Sequence, residues 1–496
     1  MMLDPDHSVP FNVHAWSDSE SIIALVDTVY ASLPQKTLTS LVGTSNNKGS
    51  MSIKDIMRVV LVDQYSTFLE DPKLCTGFPR RNSDWVVSSR YNGQGIPRKI
   101  VDVVDALVKH RYLRMTGGES TKSGGSQDIR SRIQPTKKLK DLFKKLDREE
   151  VDVERHRKRE TIILRDKGHD DEKSFDIKYS DTPTSMRMRK VVDDYNDMMQ
   201  RHHVDVASLR KSVFVRESVD AEGQPIIQRI RIGPDHMFTY RVFSRGDTKF
   251  KTHGRWYGGF WQQLPKKSQD LRKDIYIDGE PTDEIDFSGL HPTLLALKHG
   301  KILKGDKYDL GQQVLDDLPL PEQRGIVKEL VLIAINSKTK KAAYSAYNKE
   351  NRDHTLAHEK LDKLLANFIH KYPFLSSELC SDKGIKLMYT DSQITEAVIR
   401  MFVADDKPVL PVHDSYIVKR SDRKYLKEVM QQACNEVLGY TLPFESEFDE
   451  VTDHISHATH YKLTDQEYYS GVLKHNETRV SKAYLKRYED WLQRRQ

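Results

Sequence analysis

Two aspartates in apolar surroundings are the residues of this 496-residue chain best suited to carry out chemistry. Asp286 ends a strand-like run that Gly289 interrupts, and a helical pattern follows. Asp414 lies between two apolar segments, 409–412 and 416–418, which predict a hairpin with polar residues at its tip. A buried carboxylate is costly unless it is paired or binds a cation. Carboxylates at a strand end and a hairpin tip can together hold two Mg²⁺ ions for phosphoryl transfer.

A basic pair lies between these two aspartates in the sequence. Arg324 and Lys328 are four residues apart in segment 321–339, whose apolar spacing predicts a helix, so both side chains project from one face. Preorganised cations of this kind stabilise the negative charge of a leaving pyrophosphate. A solvated basic helix face is the alternative for this pair, and a turn or capping role is the alternative for Asp286. The position of the pair between the two acidic motifs favours the catalytic interpretation.

The three motifs resemble those of the family A nucleic-acid polymerases, which include bacterial DNA polymerase I and the single-subunit phage RNA polymerases. Asp286-Phe287-Ser288 looks like the first palm motif of that family. The tripeptide HDS at 413–415 looks like the third motif, in the form that the phage RNA polymerases carry. The resemblance covers roughly residues 240–445.

This resemblance implies roles for five residues of the proposed centre. Asp286, Asp414 and the backbone carbonyl of Phe287 would bind two Mg²⁺ ions. Arg324 and Lys328 would act in catalysis by binding the triphosphate of the incoming nucleotide. Nucleoside triphosphates and a DNA or RNA primer–template would therefore be the partners of the chain.

Further positions are expected to contact the nucleic acid or the nucleotide. The resemblance implies five substrate-binding residues: Arg255, His291, Asn336, Gln393 and His413. Arg255 belongs to a Gly-Arg-x-Tyr segment and would meet the nucleic-acid backbone, while Gln393 would correspond to a glutamine that contacts the primer–template. His291 stands where DNA polymerase I types have a glutamate that helps to exclude ribonucleotides, and Asn336 stands where the family has a tyrosine. The choice of nucleotide sugar is therefore open.

The elements that must position these residues are expected to form an α+β fold. Residues 241–450 would form the palm and fingers of a right-hand polymerase, with a small antiparallel sheet in the palm and helical fingers. Residues 151–240 would form a charged connector and a helical, thumb-like region. Residues 451–496 would form a basic helical tail.

Residues 1–150 predict a mainly helical region that contains a nucleic-acid-binding module. Residues 98–114 show helical spacing with an extended end, a glycine- and serine-rich segment occupies 116–128, and an extended segment at 131–136 precedes another helical pattern. With helices expected between about 52 and 90, this order resembles winged-helix modules, whose recognition helix enters a groove and whose wing contacts the backbone. An ordinary helical scaffold is the alternative.

The net charge becomes informative when it is located along the chain. The 79 basic and 73 acidic residues give a formal net charge of +6, which alone does not indicate a nucleic-acid binder. Between Arg98 and Arg148, fourteen basic residues stand against six acidic ones, so this segment carries +8 and the remainder is slightly acidic. A regional positive charge is expected where a surface faces phosphates.

Composition excludes several other classes of protein. Cys75, Cys380 and Cys434 are too few and too far apart for a disulfide framework or a CxxC metal site. No apolar run approaches the length of a membrane span, and the N-terminus shows no signal-peptide pattern. We therefore expect a cytoplasmic protein with no membrane partner.

We expect a template-directed nucleotidyltransferase of the family A type, with DNA polymerase activity favoured. One alternative is a catalytically silent nucleic-acid-binding protein, in which the winged helix supplies the function. Another is a primer-independent RNA polymerase, which the HDS motif and the missing glutamate favour. Replication, repair, mobile-element maintenance and defence are all compatible with the sequence.

Overall fold

The computed structural model describes residues 7–43, 51–117, 131–147, 150–166, 174–219, 225–244, 250–265, 271–446 and 480–495. These residues form a mixed α+β fold, as the sequence indicated. The chain divides into an N-terminal unit, Met1–Glu160 with Glu217–Gln228, and a C-terminal unit, Thr161–Arg216 with Arg229–Gln496. The finer boundaries expected near residues 150, 240 and 450 stay predictions.

The N-terminal unit packs helices against a four-stranded sheet. Its elements in chain order are β1 (Ser8–Pro10), α1 (Glu20–Ala31), α2 (Gln35–Val42), α3 (Ile53–Glu70), β2 (Cys75–Phe78), α4 (Lys99–Lys109), β3 (Leu113–Thr116), β4 (Ser131–Pro135) and α5 (Lys137–Phe143). The strands lie in the order β1-β2-β4-β3, and β1 is parallel to β2 while the other pairs are antiparallel. Buried side chains of α1, α3 and α4 form the core.

The predicted order around the basic segment is confirmed for the described residues. Helix α4 is followed by strands β3 and β4, which pair antiparallel, and α5 begins at Lys137. The glycine-rich part, 118–130, lies outside the described residues. The helices expected between about 52 and 90 are present as α3 and a short 3₁₀ helix, Asn82–Trp85, and strand β2, which was not expected, lies between them. Helix α3 ends at Glu70 since Asp71 precedes a proline and is extended.

The C-terminal unit contains the segments that carry the candidate catalytic motifs. From residue 161 onward the elements are β5 (Ile162–Asp166), β6 (Phe175–Asp176), α6 (Pro183–Met199), β7 (Val204–Val206), β8 (Val213–Val219), β9 (Pro225–Arg231), β10 (Tyr240–Ser244), β11 (His253–Tyr257), β12 (Ile275–Ile277), β13 (Glu280–Phe287), α7 (Leu290–Lys298), α8 (Leu320–Asn336), α9 (Lys340–Glu350), α10 (His358–Lys371), α11 (Gly384–Ala404), β14 (Leu410–Val412), β15 (Ser415–Lys419), α12 (Arg423–Leu438), β16 (Phe444–Ser446) and α13 (Lys482–Gln493). The apolar spacing of α8 and the strand-to-helix change after Phe287 both follow the sequence prediction.

Two sheets organise this unit. Six strands lie in the order β14-β15-β13-β12-β7, with β16 added to β13, and each of these pairs is antiparallel. This is the small antiparallel sheet expected around residues 286 and 414. Strands β11-β10-β5-β6 form a second sheet, in which β5 and β10 run parallel. Helix α11 packs against β11 and α12, so it lies between the second sheet and α12.

Part of the basic tail is described and is helical. In α13, Tyr484 is buried, and Arg487 forms an ion pair with the buried Asp205 at 2.7 Å. The Tyr488 hydroxyl donates a 2.8 Å hydrogen bond to the carbonyl oxygen of Asp278. Residues 447–479, the remainder of the predicted tail, lie outside the described residues. Where the chain is described, no helix has both the length and the apolarity needed to cross a bilayer.

A carboxyl group is buried in the core of the N-terminal unit. Asp63, in α3, accepts hydrogen bonds from the backbone N–H of Asn12 at 2.8 Å and from the Gln64 side chain at 3.0 Å. Burial raises the pKa of Asp63 from 3.8 to about 7, although both hydrogen bonds favour the ionised form. At pH 5 the folded state therefore holds a proton that the unfolded state releases.

We expect the unfolding free energy of the N-terminal unit to fall as the pH rises from about 4 to 7, by up to ~1.4 kcal/mol per pH unit. The stability that protonated Asp63 adds to the folded state is fully present below the unfolded-state pKa of 3.8. It is lost as the pH rises through the folded-state pKa of about 7. In Asp63→Asn, the unfolding free energy should no longer fall between pH 4 and pH 7 for this reason, because asparagine does not titrate. Urea unfolding of the full chain at pH 5 and pH 8, followed by pulsed hydrogen exchange in α3, measures the difference.

Asp27→Asn is the control, because Asp27 is exposed and pairs with Lys54 at 2.7 Å on the surface of the same unit. This variant should keep the pH dependence of the wild type. Equal pH dependence in the wild type and in Asp63→Asn would show that Asp63 does not hold the proton.

Candidate active site

The two candidate catalytic aspartates lie on neighbouring antiparallel strands. Asp286, the penultimate residue of β13, is in register with Ser415, the first residue of β15. Asp414 immediately precedes Ser415, and its carbonyl oxygen accepts a 3.3 Å hydrogen bond from the N–H of Phe287. His413 has a φ of 60°, the left-handed conformation that suits the two-residue turn between β14 and β15. Two motifs that are distant in the chain thus lie side by side.

Asp414 lies in surroundings that oppose its negative charge. Burial raises the pKa of Asp414, and the negative charge of Asp391 adds to this effect. The positive charge of Arg255 acts in the opposite direction and lowers the pKa of Asp414. A carboxylate in such a position is stabilised by a bound cation.

The donor atoms at this position are of the kind that Mg²⁺ prefers. Within the described ranges, no group of three or more His, Cys, Asp or Glu side chains forms a preassembled metal site. Mg²⁺ is commonly bound by one or two carboxylates and completes its coordination with water and substrate phosphates. The carboxylates of Asp286 and Asp414, with the nearby backbone carbonyl of Phe287, fit that pattern.

A buried aspartate that the sequence analysis did not single out joins this site. Asp391, in α11, is 1% exposed, and its Oδ2 atom accepts hydrogen bonds from Arg255 Nε at 2.8 Å and Nη2 at 2.6 Å. His291 Nε2 lies 3.8 Å from the same oxygen and 3.4 Å from Arg255 Nη2. Burial opposes ionisation, but the contacts with His291 and Arg255 lower the pKa of Asp391. Two predicted substrate-binding residues are therefore grouped around one buried carboxylate.

The segment between α7 and α8 packs against the end of β13. Lys307 is 3% exposed, and its Nζ atom donates a 2.7 Å hydrogen bond to Ser288 Oγ. Gly289 has a φ of 50°, and a Cβ atom there would lie 2.6 Å from Lys307 Cδ and 3.4 Å from the Tyr308 hydroxyl, so glycine permits this close approach. Burial, together with the negative charge of Asp414, raises the pKa of Tyr308. Lys307 and Tyr308 are thus neighbours of the aspartate pair that the sequence analysis missed.

The candidate phosphate-binding pair lies on the exposed face of α8. Both Arg324 and Lys328 are exposed, and Arg324 forms an ion pair with Asp306. Asp306 immediately precedes Lys307 and Tyr308, so three consecutive residues connect the Arg324 side chain to the end of β13. Arg324 is linked in this way to the aspartate pair, while Lys328 lies one turn further along the helix.

The remaining predicted substrate-binding residues occupy three different positions. His413, at the hairpin tip, contacts the ring of Tyr257, and burial together with the charge of Arg255 lowers its pKa to about 4. Gln393 is two residues beyond Asp391 in α11, and its buried Nε2 atom has no hydrogen-bond partner within the described residues. Asn336, the last residue of α8, lies against the start of α11.

A separate basic surface lies on the N-terminal unit. Five basic residues at the end of α4 and the start of α5 form it, and we call it the basic patch: Lys109, His110, Arg111, Lys137 and Lys138. Thr136 Oγ1 donates a 2.7 Å hydrogen bond to the carbonyl of Arg111. Lys138 Nζ lies 3.6 Å from the centre of the Tyr112 ring. These contacts hold the two ends of the basic patch together.

Helix α4 itself presents a balanced charge. Asp102 pairs with Arg98 at 3.3 Å, and Asp105 pairs with Arg80 at 2.7 Å. All four side chains are partly exposed. In the basic patch, Lys137 likewise pairs with Asp141 at 2.7 Å, and the exposed Lys109, Arg111 and Lys138 give this surface its positive charge.

Comparisons with known proteins were made with the sequence and with the fold. No protein-family model and no curated protein matches the chain. Among solved structures, the POL domain of Pol1 from M. smegmatis, in complex with DNA primer-template and dNTP, aligns with 53% of this chain at 11% sequence identity and a TM-score of 0.29. The alignment spans 50% of that chain.

Proposed function

We propose that this chain is a template-directed nucleotidyltransferase with a right-hand polymerase core of the family A type, and that DNA synthesis is its activity. The register of β13 and β15 is the observation that carries the proposal, because it brings Asp286 and Asp414 together at the end of a buried sheet. Around them the chain supplies buried cationic groups and, on α8, an exposed basic pair. These are the groups that nucleotidyl transfer requires.

In the proposed reaction, Asp286, Asp414 and the backbone carbonyl of Phe287 would hold two Mg²⁺ ions. When bound, the ions would lower the pKa of the attacking primer hydroxyl and neutralise charge on the leaving pyrophosphate. Arg324 and Lys328 bind the triphosphate from one face of α8. Since Asp306 is the ion-pair partner of Arg324, nucleotide binding exchanges one anionic partner of the guanidinium for another.

The sugar of the nucleotide distinguishes DNA synthesis from the second candidate activity, primer-independent RNA synthesis. His291 occupies the position where a glutamate would help to exclude ribonucleotides. Its imidazole contacts Asp391 and Arg255, so it is engaged with buried partners. With these contacts, we expect His291 to exclude ribonucleotides less strongly than a glutamate would. The activity test therefore includes both dNTPs and rNTPs.

We further propose that the N-terminal unit binds nucleic acid as a winged-helix-like module. Helix α4, the antiparallel strands β3 and β4, and helix α5 follow the order of such modules. The basic patch offers several cations within a small surface, which suits contact with successive phosphates. Because acidic side chains balance the charge of α4, we place the phosphate contacts at the basic patch.

Primer extension tests the catalytic proposal. The wild type with Mg²⁺, a primed DNA template and dNTPs should extend the primer, and parallel reactions with rNTPs and without primer separate DNA from RNA synthesis. Asp286→Asn and Asp414→Asn should each lower the extension rate by about a thousandfold or more, because each removes a metal ligand and several kcal/mol of transition-state stabilisation. Duplex binding by these variants should change little.

Asp283→Asn is the matched control for these variants. Asp283 is a buried aspartate of the same strand, β13, and it pairs with Arg423 at 2.8 Å. The control should keep most of the extension activity. Wild-type rates in Asp286→Asn or Asp414→Asn would overturn the metal-ligand assignment. A wild type that incorporates neither nucleotide set, with or without primer, would favour the silent nucleic-acid-binding protein.

The salt dependence of duplex binding tests the basic patch. Replacing Arg111, Lys137 and Lys138 together by Gln should reduce the slope of log Kobs against log salt by about 2 to 3, because each lost phosphate contact removes about 0.9. Fluorescence anisotropy of the full chain with a short labelled duplex, at several salt concentrations, measures the slope.

A second triple variant controls for the loss of charge alone. Lys54, Arg81 and Arg98 lie on the same unit outside the basic patch, and their replacement by Gln removes the same charge. This control should keep most of the wild-type slope. An unchanged slope in the patch variant, or an equal change in the control, would place the phosphate contacts elsewhere.

A further inference from the structure

Helix α11 holds two arginines in a similar way. Asp391 pairs with Arg255 of β11, and Glu396, five residues later, pairs with Arg241 of β10. The two carboxylates are 1% and 3% exposed, and the two arginines come from antiparallel neighbours of one sheet. Attachment of α11 to this sheet is therefore a role that both ion pairs share.

The surroundings of the two pairs differ. Arg241 is fully buried and also donates hydrogen bonds to the carbonyl oxygen of Gly254 at 2.9 Å and to Ser392 Oγ at 3.2 Å. Glu396 also accepts a 2.8 Å hydrogen bond from Arg187. All of these contacts are explained by packing and charge pairing within the fold.

Arg255, by contrast, lies within electrostatic reach of a candidate metal ligand. Burial opposes the charge of this guanidinium, but the negative charges of Asp391 and then Asp414 raise the pKa of Arg255. Asp391 Oδ2 accepts hydrogen bonds from both Nε and Nη2 of Arg255, so one edge of the guanidinium is fixed against α11. Two carboxylates thus attract the same arginine, and the structure pairs it with Asp391.

We infer that Asp391 is a positioning residue that keeps the guanidinium of Arg255 away from Asp414 and so leaves the Asp414 carboxylate available to a divalent cation. The inference rests on the proposed function, because it takes Asp414 as a metal ligand. Without the charge of Asp391, the largely buried Arg255 stays within electrostatic reach of Asp414 and gains Asp414 as its anionic partner. A guanidinium bound there occupies carboxylate oxygens and repels a metal ion.

Mn²⁺ binding, followed by electron paramagnetic resonance on the full chain without nucleic acid or nucleotide, tests this inference separately from catalysis. Asp391→Asn should weaken Mn²⁺ affinity by about tenfold or more, because Arg255 then competes for Asp414. The double variant Asp391→Asn/Arg255→Gln should recover most of the affinity, since no guanidinium is left to compete. Glu396→Gln, which breaks the equivalent pair with Arg241, should bind Mn²⁺ like the wild type.

Each outcome bears on the inference. Unchanged Mn²⁺ affinity in Asp391→Asn, an equal loss in Glu396→Gln, or a double variant no better than the single one would overturn it. If Asp391→Asn does not fold, Arg255→Gln decides: it should bind Mn²⁺ at least as tightly as the wild type, and weaker binding contradicts the inference.

Extension assays separate this inference from the proposed function. In Asp391→Asn, the Mg²⁺ concentration that gives the half-maximal extension rate should rise, while the rate at saturating Mg²⁺ recovers in large part. A purely structural loss would instead lower the rate at every Mg²⁺ concentration. A wild type that shows the expected Mn²⁺ pattern across the variants but extends no primer would refute the proposed function and leave the inference standing.

Discussion

The antiparallel pairing of β13 with β15 is the constraint on which the candidate site depends. Side chains alternate between the two faces of a strand, so a slip of one residue would move Asp286 to the opposite face from its present neighbours. Five consecutive pairs, from Thr282 with Lys419 to Asp286 with Ser415, fix the register. The Ser415 hydroxyl also donates a 2.6 Å hydrogen bond to Glu284. The apolar side chains of these strands therefore hold the two candidate catalytic aspartates in place.

Several charged side chains lie close to the paired ends of β13 and β15, and their burial costs folding free energy. Asp391 is buried and Asp414 is partly buried, and the negative charge of Asp391 makes the ionised state of Asp414 less favourable unless a cation is near. Arg255 and the buried Lys307 supply positive charge from a strand and from the segment between α7 and α8. Natural proteins accept such local costs at functional sites, where activity and stability compete. The ion pairs of α11 accordingly belong to the candidate site as well as to the core.

The sequence predicted the elements that carry the candidate site wherever the signal was local. The apolar runs around Asp286 and Asp414 and the turn residues between them indicated the strand end and the hairpin, and the spacing in segment 321–339 indicated α8. Asp391 was missed because its partner Arg255 is 136 positions away in the sequence. The helical pattern around Asp391 does not show that an arginine from a distant strand will contact it. The residues around Lys307 show no helical or strand periodicity in the sequence. Nothing in the sequence therefore predicted that they pack against the end of β13. The end of α3 at Glu70 did have a local signal. Pro72 follows the extended Asp71 and disfavours helical conformation there, but the helix prediction overlooked it.

Shared metal binding by Asp286 and Asp414 is the central claim, and cleavage of the backbone by bound iron tests it most directly. Fe²⁺ in place of Mg²⁺, with ascorbate and peroxide, generates hydroxyl radicals that cut the chain beside the metal, and mass spectrometry locates the cuts. We expect cuts near residues 286 and 414 in the wild type, suppressed by excess Mg²⁺. Either Asp286→Asn or Asp414→Asn should abolish the cuts at both positions. Cuts that are absent from both positions in the wild type, or that persist at both in either variant, would contradict a shared metal site.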